Sequence, residues 1–394
     1  MLITISTFTT TAIGKNYKYD PATTEECRVR DGLPGFFRKI QSKTEIRIAY
    51  FGGSITAARG WRVKTLSWFK NQFPETQFTE INAAISGTGT GFGACRIDAD
   101  ILPFKPDLVF FEFRVNGGDG VEEQSVEGIV RQIRAASAKT CICFVYTINE
   151  GMRDAIRRGN NTSFGKVLEQ VANHYGIPSI DLGVEVMKRE SAGTLLFKGN
   201  SAENGVLLFT KDGTHPTEAG HDLYTEVIVR SLLKIKTTAN RNTEGRMKRQ
   251  LFENPFEKGV LIPVESVSKS AGWKQVDSFK DSVYTRDKVR TDRMLRGAYK
   301  CSTVGESMII PYEGTTLGIN DITHGKPVII EIVLDGDKTI TLTRPQDSPK
   351  NLYARSVFLP QLSKGNHTAK LTVKFIPEGE FYYIGQFLQA GPLN

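Results

Sequence analysis

Two short stretches of this sequence hold the residue types needed for acyl transfer. Gly52-Gly53-Ser54 sets a serine directly after two glycines. A nucleophilic serine must be exposed, rigidly held and uncrowded, and two residues without side chains supply the room. Asp212-Gly213-Thr214-His215-Pro216 sets a carboxylate three residues before an imidazole. At that spacing the carboxylate folds back to fix the imidazole tautomer, leaving the other ring nitrogen for the serine proton. Each stretch also has an ordinary structural use, a helix N-cap for Ser54 and an Asx turn at Asp212. Their presence in one chain, in the order Ser, Asp, His, favours the chemical reading.

Such residues need a scaffold. Residues 46–51 form an apolar run ending at the two glycines, and Leu66, Trp68 and Phe69 follow at helical spacing, which predicts strand, tight turn and helix. The unpaired N–H groups of that helix start face the serine and suit a developing oxyanion. Strands are expected at 78–82, 108–115, 141–148 and 178–182, and helices near 33–40, 92–102, 122–138, 162–175 and 218–235. Alternation of this kind predicts an α/β domain, a parallel sheet covered on both faces. From Gly259 onward, short β-like runs alternate with Gly, Asp and Pro turns and no helix is convincing, a β-sandwich pattern. The expected organisation is an N-terminal segment with a short helix (1–45), the α/β domain (46–236), a polar linker (237–258) and the sandwich (259–394).

Four blocks resemble the SGNH (GDSL-like) hydrolase superfamily. Ile48-Ala49-Tyr50-Phe51-Gly52-Gly53-Ser54-Ile55-Thr56 is similar to the first, with Gly53 where the family usually has Asp, and the resemblance makes Ser54 the nucleophile. Asn82-Ala83-Ala84-Ile85-Ser86-Gly87-Thr88 resembles the second, which implies that the Gly87 N–H joins that of Ser54 in an oxyanion hole. Phe113-Arg114-Val115-Asn116-Gly117 resembles the third, which implies that Asn116 donates its amide to the same oxygen, although Arg114 and Gly117 depart from the family's Gly and Asp. Asp212 to Pro216 resembles the last block and completes a triad of Ser54, Asp212 and His215. Gly318-Ile319-Asn320-Asp321 also fits the third-block pattern, but it follows the triad in the chain and reads as a turn between strands.

The resemblance implies a flavodoxin-like three-layer α/β/α fold and hydrolysis through an acyl-enzyme, with no metal or organic cofactor. A sandwich (jelly-roll-like) after such a domain resembles polysaccharide-acting esterases. The expected substrate is therefore an acyl, foremost acetyl, ester on a carbohydrate or polysaccharide. A lipase or thioesterase, and a non-catalytic carbohydrate-binding protein, are the alternatives.

Trp61 and Arg62, just past Ser54, and Glu150 and Arg153, beyond the 141–148 strand, are candidate substrate contacts; Trp61 and Arg62 compete with a core and a solvated-face reading. Glu112 is expected to pair with an arginine, and His174, His221, His324 and His367 read as structural or exposed. The five cysteines, odd in number and scattered, fit neither a zinc site nor a disulfide framework, and Cys141 and Cys143 share one strand face. The net charge of +8 is spread along the chain, which modestly favours an anionic partner such as an acidic polysaccharide, or no specific partner at all, and offers no organised basic and aromatic face for nucleic acid. No apolar run approaches the roughly 18 residues of a spanning helix. Residues 1–12, weakly apolar and Thr-rich, resemble part of a secretory leader, so a periplasmic or secreted location is expected, with a cytoplasmic one as the alternative.

Overall fold

The first half of the chain builds one six-stranded sheet. Its strands are β1 (Cys27–Arg28), β2 (Ile46–Gly52), β3 (Phe78–Asn82), β4 (Leu108–Glu112), β5 (Cys141–Tyr146) and β6 (Ser179–Asp181), in the order β1-β6-β5-β4-β2-β3. Strands β2 to β6 run parallel and β1 closes one edge antiparallel. The computed structural model describes residues 25–42, 44–158, 160–202, 205–238, 245–276, 288–323, 326–344 and 354–392; residues 1–12 and His324 lie outside them. The helices of this half are α1 (Pro34–Gln41), α2 (Ser54–Ala57), α3 (Trp61–Gln72), α4 (Thr90–Asp100), α5 (Glu122–Ala136), α6 (Arg153–Arg157), α7 (Ser163–Tyr175), α8 (Leu182–Ser191) and α9 (Glu218–Thr238). One face of the sheet is covered by α1, α3, α8 and α9 and the other by α4, α5 and α7, so the strand residues are buried on both sides.

Strand order places the site. From β2 the chain steps to β3 on one side and then returns to β4 on the other, so the connections diverge and leave a crevice at the carboxyl ends of β2 and β4. Ser54 follows β2 and Asn116 follows β4. The apolar run at 108–115 outlasts its strand: β4 ends at Glu112, and Arg114–Asn116 turn as a short 3-10 helix. Helix α8 starts directly on β6 with the Asp181 side chain capping Gly183 N–H, so no loop residues announce it. The parallel pair β7 (Leu195–Lys198) and β8 (Leu207–Thr210) delivers the chain to Asp212.

The second half forms two antiparallel sheets from β9 (Lys258–Pro263), β10 (Ser268–Lys269), β11 (Lys274–Gln275), β12 (Tyr299–Cys301), β13 (Ser307–Gly314), β14 (Thr316–Thr323), β15 (Val328–Leu334), β16 (Lys338–Arg344), β17 (Arg355–Phe358), β18 (Gly365–Phe375) and β19 (Tyr382–Gly391). One sheet has the order β10-β13-β18-β15-β16; the other has β11-β12-β19-β14-β17, with β9 also on β19. Ile310, Ile332 and Leu371 of the first meet Ile319, Ile384 and Phe387 of the second in a shared core. The second sheet's other face, with Ile322, Tyr383 and Leu388, packs into the same cluster as α4 and α5.

Two expectations for this half are corrected. It does contain a helix, α10 (Lys288–Met294), whose sequence Lys-Val-Arg-Thr-Asp-Arg-Met has too few apolar residues for a periodic signal. Gly318-Ile319-Asn320-Asp321 is no turn but the middle of β14, where all eight residues are buried because both faces are covered. Asp321 there holds Arg344 at 2.7 Å and accepts the Tyr382 hydroxyl at 2.6 Å. The expected linker packs closely over its described residues 245–258: the Leu251 and Phe252 N–H groups bond Glu127, and Phe256 is fully buried.

The helix after the nucleophile loop is anchored from α9. His221 Nδ1 accepts the Trp61 N–H at 3.2 Å, and Gly60 leaves space for the ring, since any β-carbon there would strike it. Burial lowers the pKa of His221 from 6.5 to about 4, so the folded protein holds it neutral. The unfolded chain takes up a proton first as pH falls, so this contribution to stability is complete above pH 6.5 and lost toward pH 4. Thermal melts between these pH values are expected to show a wild-type slope that His221→Gln flattens; parallel slopes would contradict the assignment.

Candidate active site

Gly52 and Gly53 are required by their neighbours. A β-carbon at Gly52 would strike the Glu112 carbonyl, and one at Gly53 would strike Asn116 Oδ1. Asn116 thus occupies the space that a side chain at position 53 would need. Below the turn, Glu112 is fully buried and accepts the hydroxyls of Thr56 at 2.7 Å and Thr147 at 2.6 Å, together with the Gly53 N–H. Burial raises its pKa despite these donors. The expected pairing of Glu112 with an arginine is therefore corrected. Arg114 instead forks Asp181 with two bonds of 2.8 Å and donates to the Thr147 carbonyl at 2.7 Å, tying the end of β4 to β6.

Ser54, half-buried at the start of α2, meets His215 across the crevice: Nε2 lies 2.8 Å from Ser54 Oγ. His215 Nδ1 lies 2.7 Å from Asp212 Oδ2. The other carboxylate oxygen of Asp212 accepts the N–H groups of Thr214 and His215, both at 2.8 Å. Partial burial alone would raise the pKa of Asp212, but the His215 ring and these N–H donors outweigh it and hold the carboxyl well below its usual range. Gly213, at φ +87, makes the turn, and its carbonyl accepts the Glu150 N–H at 2.7 Å.

The Gly87 segment is tied to the same strand as Ser54, because Ile85 N–H donates to the Gly52 carbonyl at 3.0 Å. Gly87 has φ +64, a left-handed conformation, and lines a cavity of about 410 Å³ together with Asn116 and Asp119. Asn116 Oδ1 is buried and has no hydrogen-bond partner among the described residues. Asp119 joins the two loops by accepting the Gly91 N–H at 2.8 Å, and burial pushes its pKa up to about 6. Gly117 lies where a β-carbon would strike Phe164. The crevice thus gathers Ser54, His215, Asp212, Asn116 and the Gly87 loop.

Of the expected substrate contacts, the buried Trp61 and Arg62 are corrected. Trp61 is fully buried against the Tyr50 and Phe110 rings, at centroid distances of 5.5 and 5.9 Å. Arg62 is buried, donating to the Thr56 carbonyl at 2.9 Å and pairing with Glu80. Arg153 pairs with Glu190 and lies 4.6 Å over the Phe197 ring. Glu150 is exposed beside Gly213, but its carboxylate pairs with Lys198 at 2.7 Å, and its backbone braces the Asp212 turn. Asp119 and Glu112 lie beside the third block but take roles that local sequence did not specify, and Arg290, a side chain of α10 that packs on Gly87, had no local signal. Only Glu112 had a signal, a carboxylate inside an apolar strand.

Gly53→Asp puts a side chain where Asn116 lies and displaces the Asn116 amide. It is expected to lower kcat on p-nitrophenyl acetate about a hundredfold and, because it crowds a buried position beside Glu112, to lower the melting temperature as well. Wild-type kcat would contradict this account of Gly53.

Residues 50–223 match the model of the GDSL-like lipase/acylhydrolase family. No curated protein matches the sequence. Among solved structures, a two-domain esterase (CEX) active on acetylated mannans, co-crystallized with mannopentaose, superposes with a TM-score of 0.75 at 22% identity, over 94% of this chain and 100% of that one. A second crystal structure of a two-domain esterase of that description gives 0.75 at 23% identity, over 93% and 99%. The likeness is one of fold, and it spans both halves of the chain. Within the α/β domain the chain is thus similar to the GDSL-like lipase/acylhydrolase family, and the protein is a carboxylic ester hydrolase.

Proposed function

We propose that the protein is a serine esterase that removes acetyl groups from a carbohydrate, with Ser54, His215 and Asp212 as its triad. The observation that carries this reading is the continuous hydrogen-bonded line from Ser54 Oγ through His215 to Asp212, at 2.8 and 2.7 Å. His215 takes the Ser54 proton as Oγ attacks the ester carbonyl, and Asp212, kept ionised by its donors, stabilises the imidazolium. The N–H groups of Ser54 and Gly87 and the Asn116 amide receive the oxyanion. His215 then gives its proton to the departing sugar oxygen, which leaves as a free hydroxyl, and a water deprotonated by the same imidazole attacks the acetyl-Ser54 ester and frees acetate.

A carbohydrate substrate is supported by the two-domain likeness to an esterase described as active on acetylated mannans. The net charge of +8 supports an acidic glycan as the specific partner. A polymeric substrate supports a periplasmic or secreted site of action; no helix among the described residues is long and apolar enough to cross a membrane.

Acetate release from acetylated mannan, xylan and pectin by wild type and Ser54→Ala tests the reading. Ser54→Ala is expected to lose at least about a thousandfold in kcat, and equal rates would remove Ser54 from the mechanism. Across p-nitrophenyl esters, acetyl is expected to be preferred over octanoyl in kcat/KM; the reverse order would point to a lipid acylhydrolase.

A further inference from the structure

Helix α10 lies in the second half of the sequence, yet its side chains reach the loop that carries Gly87. The Arg290 side chain, in a residue 9% exposed, donates from both Nε and Nη2 to the Ala354 carbonyl, the former at 3.0 Å, which fixes the guanidinium plane. Its Nη1 packs on Gly87 at the position a β-carbon would take. One turn along, Arg293 pairs with Asp100. The other oxygen of Asp100 accepts Arg96 Nη1 at 2.7 Å, and that same nitrogen donates to the Ala83 carbonyl at 2.7 Å. The two arginines of α10 therefore act on the two ends of one segment, Arg290 on Gly87 directly and Arg293 on Ala83 through Asp100 and Arg96. Met294 and Leu295 seat the helix in the cluster formed by Phe92 and Ala94 of α4.

We propose that α10 clamps the oxyanion loop and that Arg290 is a positioning residue acting through the Gly87 N–H, so that the second domain completes the active site. The inference rests on the Ser54 mechanism proposed above. An oxyanion donor is useful only if its N–H is aimed before the charge develops. Glycine has the widest choice of backbone conformations, and here Gly87 is followed by Gly89 and Gly91. A guanidinium held against Gly87 removes the alternatives, and the brace at Ala83 stops the loop from sliding along β2. A clamp of this kind affects the chemical step more than ground-state binding.

The test measures kcat, KM and melting temperature for the full chain on p-nitrophenyl acetate. Arg290→Met is expected to lower kcat between about tenfold and a hundredfold with KM within about twofold. Arg290→Lys is expected to recover part of that loss, and Arg293→Gln to lower kcat by a smaller factor. Should Arg290→Met fail to fold, Arg290→Lys and Arg293→Gln carry the test. A kcat within about twofold of wild type for the folded Arg290 variants and for Arg293→Gln, or a rise in KM at unchanged kcat, would overturn the clamp. Ser54→Ala, run in parallel, separates the two readings. Wild-type rates in that variant remove the proposed function, whereas an inactive Ser54→Ala beside fully active Arg290 and Arg293 variants removes the clamp alone.

Discussion

The hydrogen bond of 2.8 Å between Ser54 Oγ and His215 Nε2 joins residues 161 positions apart in the chain, and the rest of the structure is organised to hold its two ends. One end is the turn after β2. It is rigid because Glu112, fully buried, collects the Gly53 N–H and two threonine hydroxyls beneath it. A buried carboxylate is costly unless its acceptor sites are filled, and here filling them fixes the backbone that carries the serine. The other end is the Asp212 turn, which β8 delivers and which Glu150 braces through the Gly213 carbonyl. His215 is exposed, so its aim depends on Asp212 and the turn, not on packing around the ring.

The second domain is more than an appendage. Its sheet shares a hydrophobic cluster with α4 and α5, and the polar segment leading into it is pinned to Glu127 of α5. Close approach is paid for with glycine: Gly259 fits against the Ala94 carbonyl, and Gly91 fits against the Phe358 ring. A junction so closely fitted keeps α10 in place beside the crevice.

Ser54, Asp212 and His215 were legible because each sits on a tight turn whose glycines and spacing leave a local signature. The alternating fold was legible because strands buried on both faces read as continuous apolar runs. For Trp61 the core reading holds over the substrate one, and Arg62 is buried instead of lying on a solvated face, because nearness to Ser54 in sequence is not nearness in space: α3 turns its first residues inward, Trp61 against Tyr50 and Phe110. Gly117 and Arg114, departures from the family pattern, find their reason only in three dimensions, in Phe164 and Asp181. Arg290 had no signal at all, because its partner Gly87 lies in the other half of the chain and α10 carries almost no apolar pattern.

Ser54 is the residue proposed to be acylated, and His215 the one proposed to activate it. The most direct measurement is peptide mass spectrometry after titration with a p-nitrophenyl phosphonate, which transfers its phosphonyl group to an activated serine. One adduct per chain is expected on the peptide containing Ser54, formed in step with loss of esterase activity and absent in His215→Ala. An adduct on another residue that tracks the loss of activity, or full activity with Ser54 modified, would contradict the account.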